Sequence, residues 1–102
     1  MGLTHKWKVV NKSDDYYIDQ VLQGNKDAFA GLVNRYQDVV FSLAFRVARD
    51  KNHASEIAQT VFIKAYNALP GFKRKARFSS WLYRIAYNTA LTEIKKNKKF
   101  HI

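Results

Sequence analysis

No cysteine occurs in the 102 residues, which excludes a disulfide framework and thiolate chemistry and points to a reducing cytoplasm. Long apolar runs are lacking too. Nothing approaches the roughly 20 residues that span a bilayer, and the N-terminal residues hold no apolar stretch of the signal-peptide kind, so a cytosolic chain without a membrane segment is expected. Glycine and proline number only four and one. They fall where helices would end, which makes an all-helical chain more economical than a sheet with many turns. Catalytic groupings are missing as well. His5, His53 and His101 stand far apart, there is no HExxH or CxxC spacing, and neither common glycine-rich phosphate loop is present. The acids Asp14, Asp15, Asp19, Asp27, Asp38, Asp50 and Glu56 sit at helix starts or on polar faces. No enzyme, cofactor, metal site or small-molecule substrate is implied.

Negative charge is scarcest in the last third of the chain. From Gly71 onward nine Lys and Arg face a single acid, Glu93, so this stretch holds a balance of +8 out of the formal net charge of +10. The cations begin in a loop that two phenylalanines bracket: Phe72, Lys73, Arg74, Lys75, Ala76, Arg77, Phe78. Cations beside aromatic rings are the two parts that single-stranded nucleic acid needs, charge to displace counterions from phosphates and flat faces for unstacked bases.

With 47% apolar residues the chain has enough for one modest core and a single domain. Residues 1–12 read as an irregular basic tail with Trp7, Val9 and Val10 as its apolar anchors, residues 13–99 as the folded domain, and 100–102 as the start of a linker or tail. A brief first helix opens at Ser13, a cap followed by Asp14 and Asp15, and runs to Gly24. A longer one begins near Asn25 and carries Phe29, Leu32, Val33, Tyr36, Val40, Leu43, Ala44 and Val47 at spacings of three and four. After a break at Asp50, Lys51 and Asn52, a third helix turns Ile57, Ala58, Val61, Phe62, Ala65 and Leu69 inward and closes at Pro70-Gly71. A fourth starts at Ser79, expected as its cap. These four helices are expected to pack as a compact all-α bundle around Phe29, Leu32, Tyr36, Val40, Leu43, Ile57, Val61, Phe62, Leu82 and Ile85, with no sheet.

Two surfaces stand out. On the third helix, Glu56, Gln59, Thr60, Ile63 and Asn67 face outward, and Ile63 is an apolar residue on an otherwise polar side. It reads either as a scattered exposed residue of no consequence or as the centre of a docking face. On the fourth, at about 100° per residue, Leu82, Ile85, Ala86 and Ala90 share the core side while Trp81, Arg84, Asn88, Thr92 and Lys95 form a neighbouring strip. Free N–H groups of its first turn add to the positive potential. Asn88 suits base reading, since one amide both donates to and accepts from a base edge. The same residues admit structural readings: Trp81 as a plug for the bundle end, Phe72 and Phe78 as loop anchors, and Lys95 to Lys99 as a solvated helix end. Anchoring explains the aromatics but leaves the loop cations unexplained.

The residues Ala28-Phe29 with Leu32-Val33-Asn34-Arg35-Tyr36-Gln37, then Glu56-Ile57-Ala58-Gln59 with Phe62-Ile63-Lys64-Ala65-Tyr66, then Phe78-Ser79-Ser80-Trp81-Leu82-Tyr83-Arg84-Ile85-Ala86-Tyr87-Asn88 resemble region 2 of the sigma-70 family of bacterial RNA polymerase sigma factors, in the extracytoplasmic-function group. The similarity covers roughly residues 14–99, and Trp81 to Asn88 is its most specific part. The resemblance implies that Glu56, Gln59, Thr60, Ile63 and Tyr66 dock on the clamp coiled coil of the polymerase β′ subunit. It implies that Phe72, Lys73, Arg74, Lys75, Arg77, Phe78, Ser79, Trp81, Arg84, Asn88 and Lys95 bind the melted non-template strand of the minus-ten promoter element, with a flipped base in a loop pocket that Asn88 contacts. An anti-sigma factor is the further partner implied, and the bacterial nucleoid the expected place of action.

Three departures from the family pattern matter. Glu56 replaces the usual Asp and keeps its charge, whereas Thr60 stands where an acid commonly follows the Gln, which removes one expected ion pair with the polymerase. Trp81-Leu82 replaces the paired tryptophans of housekeeping members, as in the extracytoplasmic-function group. The family's second helical domain, which reads the minus-thirty-five element, does not follow, so the expectation is a chain cut in the linker or a partial protein. Two other classes compete. A non-specific single-strand-binding module accounts for the cations and aromatics but not for Ile63. A polymerase- or anti-sigma-binding domain that never touches DNA accounts for Ile63 but not for the basic loop.

Overall fold

The computed structural model describes residues 12–101, with side chains up to Lys96. Among them are four α-helices and no strand: α1 (Asp14–Leu22), α2 (Phe29–Ala48), α3 (Lys51–Ala68) and α4 (Phe78–His101). The all-α, four-helix expectation therefore holds. Trp7, Val9 and Val10 lie outside the described residues, as do the side chains of Lys98 and Lys99. None of the described helices is long and apolar enough to cross a membrane. The contacts divide the chain into two compact units that meet in sequence at Arg35 and Tyr36.

In the first unit the Ser13 side chain accepts a bond from the Tyr16 N–H at 3.1 Å, which satisfies one orphan donor of α1, and Asp14 and Asp15 occupy its first turn, where the dipole favours acids. Gly24, at φ +107°, ends the helix in a backbone conformation that other residues resist. It lets the N–H groups of Gln23, Gly24 and Asn25 return to the carbonyls of Asp19, Val21 and Gln20. A single 3₁₀ turn over Lys26–Ala28 comes before α2, so the α-helix proper starts at Phe29 rather than near Asn25. Ile18, Phe29 and Leu32 are buried. Gly31 is required by close approach, because a Cβ there would run into the Tyr17 ring. The Arg35 guanidinium lies 5.4 Å from the centroid of that ring, pairs with Asp14 at 2.7 Å and donates to the Lys12 carbonyl.

The second unit takes up the rest of α2, where Val40 and Ala44 are buried. Arg49 ends this helix at φ +60°, its N–H bonded to the Phe45 carbonyl at 2.8 Å. Asp50 then caps α3 by accepting from the His53 N–H at 2.7 Å. Ala54, Ile57, Val61 and Ala65 line the inward side of α3, and Leu82, Ala86, Thr89 and Ala90 that of α4. The two helices pack against each other. Each fully buried Leu, Ile or Val contributes about 1.5–3 kcal/mol, and the alanines let the backbones approach. Tyr36, Leu43, Phe62 and Ile85, expected in the core, are only half-buried. Spacing identifies the side of a helix that faces inward but not the depth to which each turn sinks, which depends on neighbours distant in sequence.

Candidate nucleic-acid interface

Beyond α3 the chain turns through a 3₁₀ turn over Leu69–Gly71, with buried Leu69 as its anchor and Pro70 in its first positions. The Phe72 N–H closes this turn on the Leu69 carbonyl at 3.0 Å. At the other end of the loop the Arg77 carbonyl accepts from the Trp81 N–H at 3.1 Å, which puts Arg77 in the cap position and makes Phe78 the first helical residue. The expected cap, Ser79, instead lies half-buried inside the first turn. The reason is packing. Phe78 is 4% exposed, and a cap two residues earlier than expected places its ring inward.

Three rings meet where the loop begins and ends. Phe72 and Trp81 lie with centroids 4.7 Å apart, Phe78 and Trp81 5.6 Å, and Phe72 meets Phe78 edge-on at 6.0 Å. From α2, Tyr36 reaches Phe78 at 5.7 Å and Tyr83 at 6.2 Å. Each such pair contributes about 0.5–1.5 kcal/mol beyond the area it buries. Together they clasp both ends of the loop. The five residues between, Lys73, Arg74, Lys75, Ala76 and Arg77, are all exposed, and four of them are cations. Arg74 adopts φ +59°, a left-handed conformation that costs a non-glycine residue roughly 1 kcal/mol. Of the two readings of the rings, anchoring describes Phe78, while Phe72 and Trp81 are half-buried and keep part of each face accessible.

Along α4 the strip is present as expected. Arg84, Asn88, Thr92 and Lys95 are exposed, spread over about 16 Å at 1.5 Å per residue. Thr92 is less available than its position suggests, since its hydroxyl donates to the Asn88 carbonyl at 2.9 Å. Glu93 is paired with Lys96 at 3.4 Å, so the one acid of this region is partly neutralised and Lys95 stays with the strip. The support given by Tyr36 and Tyr83 was not foreseen. Tyr36 was visible in sequence only as one more member of an apolar stripe.

On α3 the outward side carries Glu56, Gln59 and Ile63, all exposed, with Ile63 at 61%. Thr60 is half-buried and turns its hydroxyl onto the Glu56 carbonyl at 3.1 Å, so its donor is used within the helix. Tyr66 is half-buried. Elsewhere, the first unit has an open cleft of about 220 Å³ lined by Tyr17, Gly31, Asn34 and Arg35, whose guanidinium is already engaged by Asp14. No group of three or more His, Cys, Asp or Glu among the described residues is placed to hold a metal ion.

The family model for sigma-70 region 2 matches residues 32–100. The ECF RNA polymerase sigma factor SigW of Bacillus subtilis (strain 168) is 42% identical over 81 residues, which is 79% of this chain and 43% of that protein. The ECF RNA polymerase sigma-E factor of Escherichia coli (strain K12) is 42% identical over 78 residues, 76% of this chain and 40% of that one. The chain thus spans about two fifths of the length of these relatives. Among solved structures, an engineered region 2 of sigmaE, determined by NMR in complex with GTAAAA, superposes with a TM-score of 0.81 at 39% identity, covering 86% of this chain and 92% of that one.

Proposed function

This chain belongs to the sigma-70 region 2 family, in the extracytoplasmic-function group, and from that membership we propose that it serves transcription initiation by two separate contacts. The outward side of α3 docks on the β′ clamp coiled coil of core RNA polymerase, with Ile63 entering an apolar hollow and Glu56 and Gln59 making polar contacts around it. The 72–78 loop and the α4 strip hold the unpaired non-template strand of the minus-ten promoter element. The family is one of initiation factors, not enzymes, so the chemistry asked of these residues is binding alone. Its place of action is the cytoplasm, on the nucleoid, and an anti-sigma factor is the partner that would occlude the α3 face.

The observation that carries this reading is the clasped loop. Four exposed cations stand on five residues whose two ends are pinned by aromatic rings, next to a helix that offers the exposed amide of Asn88. The cations meet phosphates and fix the path of the strand, and Asn88 reads a base edge. The engineered region 2 of sigmaE that resembles this chain is in complex with GTAAAA, which favours a sequence-reading role over a non-specific one.

Fluorescence anisotropy with a GTAAAA oligonucleotide and its scramble, at two salt concentrations, tests the proposal. Removing one loop cation should weaken both strands alike and lower the salt slope by about 0.7. Asn88→Ala should cost roughly 1–3 kcal/mol on the preferred strand and little on the scramble. Equal loss on both strands, or no loss, would move the reading role away from Asn88. Scrambled strands binding wild type as tightly as GTAAAA would favour the non-specific module instead.

A further inference from the structure

Tyr87 is 52% exposed on α4, directly before Asn88, and neither the core nor the strip as described uses it. Helical geometry of about 100° per residue sets its ring about 60° beyond Arg84, on the side away from Trp81. Arg84, three residues earlier and therefore a surface neighbour, lies between Tyr87 and Asn88 in projection. Half-buried Leu91 follows four residues later.

A lone exposed aromatic is ordinary, but the other exposed rings of the described residues have partners that account for them. Phe45 lies parallel to Phe41 at 6.2 Å. Tyr16 meets Tyr17 edge-on at 5.5 Å and lies under the Lys12 ammonium at 5.1 Å. Among the described residues Tyr87 has no ring partner and no cation over its ring. Its helix propensity is below that of Ala, Leu or Lys, so folding of α4 does not favour it there. The nearest cation along the helix surface is Arg84, one turn before and exposed, and exposed Lys95 lies about two turns beyond. A flat, accessible ring beside a guanidinium is the minimal site for an unstacked base and its phosphate.

We propose that Tyr87 is a stacking platform for a second unpaired base, the neighbour of the base that Asn88 reads, with Arg84 on the phosphate that links them. This rests on the strand-binding reading above and extends it. Two adjacent bases are splayed to different sides of α4, one recognised by hydrogen bonds and the other held by its face. Stacking accepts any base, so the site demands a base at the second position without specifying which.

The full chain is titrated by anisotropy with the GTAAAA hexamer and with versions carrying one abasic nucleotide at each position in turn. Tyr87→Leu, which keeps apolar bulk but removes the π face, should weaken hexamer binding about 5- to 100-fold, with the thermal midpoint held. Tyr87→Phe should restore it. The Leu variant and wild type should become equal on the one abasic probe that lacks the stacked base. A Leu variant that binds every probe as wild type does would overturn the platform while leaving strand binding intact. Failure of wild type to bind the hexamer or its scrambles would overturn strand binding and the platform together.

Discussion

Helices α3 and α4 turn similar sides inward, Ala54, Ile57, Val61 and Ala65 on one and Leu82, Ala86, Thr89 and Ala90 on the other, and they differ in what they turn outward. The α3 face is centred on Ile63, with Glu56 and Gln59 beside it. The α4 strip and its loop carry Lys73, Arg74, Lys75, Arg77, Arg84 and Lys95, all exposed. Burial against a common partner explains why the inner sides converge, and the separate outer partners proposed above would account for the divergence of the outer ones. An apolar centre gains by leaving water, which salt scarcely weakens. A row of cations gains by releasing counterions, which salt weakens steeply. The two proposed binding reactions should therefore be separable by ionic strength alone.

The largest expected effect attacks the foundation of the cationic side. Phe78→Ala removes the ring that joins Phe72, Trp81 and Tyr36 and should cost about 3–5 kcal/mol, measured by denaturant unfolding. A loss below about 1 kcal/mol would mean that the loop is not clasped by this ring. Next, Gln59→Ala combined with Ile63→Ala should weaken binding to a β′ clamp fragment by about tenfold or more. Strand binding and thermal midpoint should stay near those of wild type. If strand binding falls in parallel, the two faces are not independent.

The smallest effect sharpens the contrast through two arginines with the same backbone. Arg49 and Arg74 have φ of +60° and +59°, and glycine relieves that conformation by about 0.5–1 kcal/mol at either place. Arg49→Gly should raise stability and leave strand affinity unchanged. Arg74→Gly should gain less stability, since Arg74 has a partner in the fold, and should lower the salt slope of strand binding by about 0.7. Identical strand binding by both variants would show that Arg74 meets no phosphate.

Much of this was readable from residue order. Ser13 as a cap, a turn at Pro70-Gly71 just beyond α3, the burial of Ile57, Val61 and Ala65 and the exposure of Ile63 follow from local chemistry and helical spacing, and these are seen in the fold. Other features depend on which distant residues meet. Phe78, the first residue of α4, packs on Phe72 and Trp81 nearby and on Tyr36, some forty residues earlier. Leu43 belongs to the right stripe but is half-buried, since the stripe says nothing of how deeply each turn sinks. The hydroxyls of Thr60 and Thr92 look like free donors in sequence and are bonded to carbonyls one turn back, an option open to any helical Thr. Left-handed Arg74 carries no signal in residue type, because glycine or asparagine is what that conformation ordinarily selects.

Clasping the loop at Phe72 and Phe78 also has a consequence for time. Ordering a flexible residue costs about 1–2 kcal/mol of backbone entropy, and a basic segment that ordered itself only on a strand would lose that freedom at each encounter. Here the ends are fixed when the unit folds, so on the proposed strand-binding reading only the short exposed stretch between them would be left to order on a strand. Association would then be governed more by electrostatic attraction over the last nanometre of approach than by a search among loop conformers. Differences among promoter strands would then show in how long each one stays.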